Sequence, residues 1–585
     1  MKFNSCFVLF LITNSFSFVY SQEWLLNKEQ KKKKTTQEPS FMTFQKPKEE
    51  NSEGKNKISL GSLLGNENPE YKNDFAEGNF LFLEGNYSMA LKKFEEAYRI
   101  NFEGANINYK IGLCYMNSPF EKKKAEKYLE KAIRNVSTKY DEIEPAEKAA
   151  PIEAYYYLGI AKHINYKLDD AIYNFEKYKT LISPKDIERI KDIDHQIEMC
   201  KNAKKFYANP AKVVISNMGD SINSPYPDYS PVVSADESAL IFTSRREGGT
   251  GGLRTVENGF FDDIYISNKK TDGKWSTVAD IDENINTNGN EGSIGLSADG
   301  QQLFIYRDDA GDGNIYYCNL EGDRWSFPVK LGSDINTKYH ETHACVSSDG
   351  STLYFVSDRP GGHGGKDIYR CVKLPNGNWS LATNLGSAVN TEFDEDGVFI
   401  HPDQVTLFFS SQGHESMGGF DIFYSTLDGD GKWTEPVNVG YPINTTEDDV
   451  FYVTSADGKR AYYSSDREGG LGGQDIYLIS LQEATKVQPV ALLVGRITVK
   501  EGEQIPSSNE IIVTNIETGQ RGVYRANTKT GKYILSLSPG KTYDVSYLVN
   551  DEEFYKETIT VPAGSDYQEI EKEIPLKTVV LEKKN

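Results

Sequence analysis

Five carboxylates stand at one position of a long internal repeat. Asp228, Glu291, Glu341, Glu395 and Asp449 each follow an Asn-Ser or Asn-Thr pair by four residues. Like charges gathered in a ring repel unless water, backbone donors or a cation compensates. Hard cations such as Ca²⁺ take several oxygen ligands, so the set is a candidate channel-mouth site for Ca²⁺ or a cationic ligand. The alternative is structural, with each carboxylate accepting hydrogen bonds from its own turn. Recurrence in all five repeats favours the structural role, because a catalytic acid tends to be unique to one repeat. No residue is therefore assigned a catalytic or cofactor-binding role.

Other constellations give less. Asp394 and Asp396 beside Glu395, and Asp448 beside Asp449, fall outside the repeat, but strand alternation aims immediate neighbours away from one another. The loops Gly361-Gly362-His363-Gly364-Gly365-Lys366 and Gly469-Gly470-Leu471-Gly472-Gly473-Gln474 occur once per repeat, not every nine residues as calcium-binding nonapeptides do. They read as long hairpins on one rim, with glycine supplying positive φ. Arg245, Arg359 and Arg467 stand just ahead of such loops, with Asp358 and Asp466 as candidate partners. His340, Glu341, His343 and Cys345 carry metal-capable side chains but lack a second half-site, so zinc is not expected. There is no Gly-x-Ser-x-Gly elbow, phosphate loop or dinucleotide fingerprint.

The elements that would position these residues follow from the repeat. Trp275, Trp325, Trp379 and Trp433 are separated by 50, 54 and 54 residues, and an Asp-Ile-Tyr motif or near variant recurs at Asp263, Asn314, Asp367, Asp421 and Asp475. A period of this length signals a β-propeller with one four-stranded blade per repeat. Strand a follows the Asn-Thr turn and strand b carries Leu-Tyr-Phe-like runs. Strand c carries Asp-Ile-Tyr, and strand d runs from the tryptophan. The Asp-Gly pairs at 299–300, 349–350 and 457–458 join a to b, with both residues expected at positive φ. Pro402-Asp403-Gln404 must turn differently. The last repeat lacks strand d, and residues 213–218 supply it, closing a five-bladed ring over 206–482 and removing a vulnerable edge.

Composition bounds the remainder. A formal charge of −21 argues against nucleic-acid binding. Residues 1–21 read as a secretory signal peptide, and 22–67 as a flexible linker with too little apolar surface to order. No later run is apolar enough to span a bilayer. An odd count of five cysteines after the leader leaves at least one thiol free or in an intermolecular pair. Residues 68–205 switch to helical periodicity with small and aromatic positions, among them Ala90, Phe94, Gly112, Gly159 and Phe175. Residues 489–578 alternate in short strands between Gly-containing turns, and 579–585 form a tail.

The helical positions resemble three tetratricopeptide repeats, and 489–578 resembles a carboxypeptidase regulatory-like β-sandwich. The fold class expected is thus multidomain α plus β: helical repeats, five-bladed propeller, small sandwich. The order of these parts is similar to Bacteroidetes PorE-like envelope proteins of the type IX secretion and gliding machinery. That resemblance implies a non-enzymatic scaffold, periplasmic or peripheral to the outer membrane, with a PorP/SprF-like outer-membrane protein or secretion component as partner. The family's OmpA-like, peptidoglycan-binding domain would begin where this sequence stops, so docking by protein contacts alone is expected. The alternative is a carbohydrate-binding or carbohydrate-active propeller, which needs two acids set across the channel, roughly 5–9.5 Å apart.

Overall fold

The computed structural model describes residues 67–576 except 119–120, 251, 253–258, 309–312, 483–486, 489, 501–502 and 566. The expected leader, the linker as far as residue 66 and the tail lie outside the described residues. The chain divides into two compact units, Met1–Cys200 and Lys201–Asn585.

The first unit is helical: α1 (Pro69–Leu83), α2 (Tyr87–Ile100), α3 (Ala105–Met116), α4 (Ala125–Ala132), α5 (Ala154–Ile164), α6 (Leu168–Leu181) and most of α7 (Ile187–Ala208). Asn68 starts α1 by accepting from the Glu70 N–H at 2.8 Å, with Pro69 in the first turn. One glycine per pair lets successive helices touch. A Cβ on Gly78 would stand 2.8 Å from the Phe94 ring, on Gly112 2.7 Å from Leu129, and on Gly159 2.7 Å from Phe175. Thus α1/α2, α3/α4 and α5/α6 form three close pairs, and one core runs through them to Ile193 and Cys200 of α7.

The second unit holds five antiparallel blade sheets, four of four strands and the second of five, its outer strand being split in two. Their innermost strands are Asp228–Val233, Glu291–Leu296, Glu341–Val346, Glu395–Ile400 and Asp449–Thr454. Each neighbours the next and the last neighbours the first: the ring of a β-propeller. Val213–Asn217 completes the fifth blade by pairing with Asp475–Leu481 from Tyr477↔Asn217 to Leu481↔Val213. Strand d is shorter than expected. In blades one to four it is two residues, such as Thr383–Asn384, and its tryptophan makes a separate bridge (Lys269↔Trp275, Lys373↔Trp379, Leu427↔Trp433) or short strand (Arg324–Trp325).

The a–b turns also differ from the expectation. Gly300, Gly350 and Gly458 have positive φ, but the aspartates before them do not. Each glycine N–H donates to the serine three residues earlier, as Gly300 does to Ser297 O at 2.8 Å. Blade four does not turn differently: Gln404, at φ 64°, takes the glycine's place, with its N–H on His401 O at 2.9 Å. Glu237, at φ 52°, does the same in blade one, its N–H on Ser234 O.

Those turns carry the third part. Ala491–Thr498, Lys532–Leu537 and Gln568–Pro575 form one sheet of a sandwich, and Asn509–Asn515, Arg521–Tyr524, Lys541–Val549 and Glu552–Val561 the other. Alternation sends Leu493 and Leu535 into the sandwich core and Leu492 and Ile534 outward against Ala235 and Ala456 of the propeller. Polar ties ring this patch. Lys532 pairs with Asp236, Gln520 Nε2 donates to Asp349 Oδ2 (2.9 Å), Asn527 Nδ2 to Gly322 O (2.7 Å) and Ser536 Oγ to Pro402 O (3.2 Å). The sandwich therefore sits on the a–b face of the ring.

All five cysteines in the described residues are buried and unpaired, Cys318 and Cys371 included.

Leu492→Asp puts an unpaired carboxylate into the apolar seat between sandwich and propeller. Limited proteolysis followed by mass spectrometry should then release the two as separate fragments, under conditions where the unaltered chain resists cleavage there.

Candidate functional site at the channel mouth

The two sequence motifs that define the repeat meet in space. In each blade the turn asparagine lies against the isoleucine of Asp-Ile-Tyr. Asn444 Oδ1 accepts from the Ile422 N–H (2.8 Å), while its Nδ2 donates to Ile422 O (2.9 Å) and to Asn438 Oδ1 (2.8 Å). Asn286, Asn336 and Asn390 grip Ile264, Ile315 and Ile368 alike, and Asn223 grips Ile476 across the closure. Buried amides so paired replace water fully, and losing one leaves buried backbone groups without partners.

The next residue of each turn holds the recurring carboxylate. Thr391 gives Glu395 both its N–H (2.9 Å) and its hydroxyl (2.7 Å). Thr287, Thr337, Thr445 and Ser224 do the same for Glu291, Glu341, Asp449 and Asp228. All five carboxylates are 0–2 % exposed. They do not converge on a common ligand: among the described residues no group of three or more His, Cys, Asp or Glu side chains is placed to hold a metal ion.

An arginine seals four of the five. Arg246 lies 2.6 Å from Asp228, Arg307 3.5 Å from Glu291, Arg359 3.2 Å from Glu341 and Arg467 3.9 Å from Asp449. All four also lie over aromatic rings, Arg307 over one of strand c and the other three over rings of both strands b and c. In blade one the sealing residue is Arg246. Arg245 instead clasps Asp262 at 2.8 Å, and Asp358 pairs with His340 rather than with Arg359. Blade four has Gly413 at this position. His414 occupies the space, its Nε2 2.9 Å from Val389 O and its ring against Phe409 and Phe423. Burial pushes His414 below the usual histidine range, so it brings no positive charge. Glu395, without an arginine, is pushed up to about 8 by burial, and Asp449, with its distant arginine, to about 7.

A second set of acids folds the glycine loops. The Asp-Ile-Tyr carboxylates accept loop N–H groups: Asp367 from His363 (2.6 Å), Asp421 from Met417 (2.6 Å) and Asp475 from Leu471 (2.6 Å). A Cβ on Gly362 would come 1.7 Å from Asp367 Oδ2, and on Gly364 2.2 Å from Phe393 O of the next turn. Close approach, more than positive φ, is what these glycines supply; Gly361 and Gly469 alone in the two loops have φ near +90°.

What breaks the repeat lies one and two residues beyond the carboxylates. Strand a is bulged there in four blades, and slightly later in blade two, between Ser293 and Gly295. Ser230, Gly397 and Phe451 occupy the same step at φ 53°, 57° and 60°. A bulge resets the pleat: His343 lies inside the one between Glu341 and Ala344, while Asp396, still opposite Ser410, points away from Glu395 as alternation expects. Lys366 Nζ lies 3.0 Å from Asp396 Oδ2, His343 Nδ1 lies 2.6 Å from Oδ1, and the Thr342 hydroxyl donates to Oδ1 at 3.2 Å. Burial works to raise the Asp396 carboxyl, but Lys366 and His343 outweigh it and hold it well below the usual range. The His343 ring stacks on Phe451 at 4.5 Å, and Tyr229 approaches the same phenyl from 6.3 Å. Tyr229 donates to Asp262 (2.6 Å), which also binds Arg245. The mouth thus holds two charge-balanced clusters with an aromatic ring between them. His343 Nε2 is buried there with no partner among the described residues. Sequence reading named both His343 and Asp396 but set them apart; Gly397 inside a strand was the available sign of a bulge.

No protein-family model matches the chain, and no curated protein matches it in sequence. Solved structures that overlay on it include TolB from Acinetobacter baumannii (TM-score 0.28, 16% identity, 45% of this chain and 57% of that one). The chain thus spans a little over half the length of that protein. Others are the alpha-L-arabinofuranosidase from Lactobacillus brevis (0.28, 12%, 45% and 94%) and the xyloglucan PUL GH43B of Bacteroides ovatus (0.30, 13%, 59% and 92%). Overlaps this loose do not transfer a function.

Two outcomes follow from the geometry. Asn444→Ala strands the Ile422 backbone groups and should cost about 2–3 kcal/mol, read from denaturant unfolding of the propeller. The Glu395 carboxyl, ordinarily near 4.5, titrates at about 8 in the fold. The folded state therefore holds a proton that the unfolded chain has lost. That contribution is complete below the unfolded value and is lost as pH rises through the folded one. Between about pH 5 and 8 the unaltered chain should lose stability relative to Glu395→Gln, by at most about 1.4 kcal/mol per pH unit; parallel curves for the two would refute the assignment.

Proposed function

We propose that this chain is a non-enzymatic docking scaffold of a bacterial envelope complex. Its helical pairs serve as tetratricopeptide-type repeats and its sandwich as a carboxypeptidase regulatory-like module. One observation carries the reading: the recurring carboxylates and Asp396 are all buried and bonded inside the protein, and the two with raised pKa values, Glu395 and Asp449, are each held by the hydroxyl and N–H of their own turn and by the serine facing them on strand b. The partner side is served by outer surfaces instead. Phe327 and Leu381, in the strand d segments of adjacent blades two and three, are 72 % and 77 % exposed, large apolar groups of the kind that mark contact sites. Among the described residues no helix is long and apolar enough to cross a membrane, which fits attachment through partners. The resemblance in the order of parts points to the periplasm or the outer-membrane periphery, and to type IX secretion or gliding components as the company it keeps.

A carbohydrate-active role would use Asp396, the acid at the mouth that the repeat does not explain. Its ion pair with Lys366 and its close contact with His343 leave it ionised and occupied, unlike a general acid, which needs a raised pKa.

Affinity capture of the full chain from native envelopes should recover an outer-membrane β-barrel protein, and Phe327→Ser with Leu381→Ser should reduce that recovery. Recovery of the chain alone would count against the scaffold. Glycan turnover by purified protein, abolished by Asp396→Asn, would replace it with the enzymatic reading.

A further inference from the structure

The segment between α4 and α5 is a closed strap. Parallel pairing of Val136 with Ala150 and Ser137 with Pro151 pins its base, and side chains of Asp141, Glu144 and Glu147 fold its tip by accepting N–H groups of Ile143, Ala146 and Ala149. The strap lies over α1 and α3. α2 and α4 contact these two helices from elsewhere, through Phe94 on Gly78 and Leu129 on Gly112. Every residue of α3 is buried, so the strap covers a helix face that the stack itself leaves open.

Few side-chain contacts hold it there. Lys110 Nζ binds Glu142 Oε1 at 2.8 Å, the Tyr140 hydroxyl donates to Asn106 Oδ1 at 2.8 Å, and Asn79 Nδ2 donates to Glu142 O at 3.2 Å. The Tyr140 ring packs edge-on against Tyr109. Lys110 is the decisive group. It is fully buried and Glu142 is its carboxylate partner, so a charge sits in the helix face that cannot be left without a counter-charge. The fit is also incomplete. Tyr71 Oη, Asn79 Oδ1 and Asn106 Nδ2 are buried without hydrogen-bond partners among the described residues, whereas native interiors satisfy nearly all such groups.

We infer that the 138–148 strap is a resident ligand in an acidic-peptide groove, replaced there by an extended partner segment carrying a carboxylate for Lys110 and an aromatic hydroxyl for Asn106. The strap shows the required spacing itself: tyrosine, one residue, glutamate. A free segment can bring a backbone N–H to Asn79 Oδ1 and a C=O to Asn106 Nδ2, which the strap, folded on its own acidic side chains, does not supply. This deepens the docking reading by naming a partner chemistry, and it does not depend on where in the cell the chain works.

The probe is a labelled synthetic peptide of residues 138–148, added to the full chain. Tyr140→Ala with Glu142→Ala should bind it at least about tenfold more tightly than the unaltered chain, which must first release its strap. Adding Lys110→Met to the double variant should abolish binding, as should replacing the peptide's glutamate at 142 by glutamine. A double variant with intact helical circular dichroism that binds no better overturns the proposal. If the variant fails to fold, hydrogen exchange on the unaltered chain decides: amides of 138–149 should exchange at least about tenfold faster than those of α3 and α5, and equal protection overturns it. Failure here leaves envelope capture untouched, and failed capture leaves peptide binding untouched.

Discussion

A buried asparagine holding both backbone groups of an isoleucine is the contact on which the propeller depends. It fastens the turn entering each blade to strand c of the blade before it, and the fifth copy, Asn223 on Ile476, fastens the ring shut. The residue after the asparagine then donates twice to a carboxylate that opens the next strand a. That carboxylate receives an arginine from the end of strand b in four blades. Each link sits in a dry interior, where a satisfied polar network fixes one register and a half-satisfied one is costly. Apolar packing between blades supplies the bulk of the favourable energy, but it is tolerant of small slips. The asparagine and carboxylate are not, because a shift of one residue would bury them without partners.

This chain of bonds explains why acids can be numerous at the mouth of the ring without forming a ligand site. Each carboxylate is already the acceptor for its own turn. Blade four shows how closely the compensation is tuned. With Gly413 where arginine stands in blades three and five, and a neutral His414 filling the space, Glu395 keeps its hydrogen bonds but loses its counter-charge, and its affinity for a proton rises accordingly. Asp396, the next residue, lies in the opposite situation, held ionised by Lys366 and His343. Two adjacent acids in one strand thus titrate in opposite directions because alternation sends them into different surroundings.

The periodic parts of this arrangement were legible in the sequence. Spaced tryptophans, Asp-Ile-Tyr and Asn-Thr placed the blades, and the leftover strand at 213–217 located the closure. Gly112, and Gly159 with Phe175, marked two of the helix pairs. Three features were not legible, each for a physical reason. Bulges move side chains by one step of the pleat without changing composition, so the meeting of Asp396 with His343 was hidden. The turn at Gln404 keeps the glycine geometry with a non-glycine residue, because one strained φ is affordable where the flanking ladder fixes it. The docking of the sandwich on the a–b turns was foreshadowed only by Leu492-Leu493-Val494, a run apolar at consecutive positions as a strand covered on both faces must be.

The same principle separates structural charge from available charge across the molecule. At the ring, counter-charges come from within the blade that needs them, so nothing is gained by exchanging them for a ligand. On the a–b face, Lys532 and Asp236 pair between propeller and sandwich, but that pair rims an apolar seat that would be uncovered if they parted. Lys110 differs. Its partner comes from a strap that buries little apolar surface of its own, with Ile143 standing out in solvent at 68 % exposure, and it leaves neighbouring amides unsatisfied. A buried cation whose counter-ion is carried on a loosely invested segment is a charge that a partner can take over without dismantling a core. Binding capacity in this chain therefore follows where neutralisation is exchangeable, not where charges are most numerous.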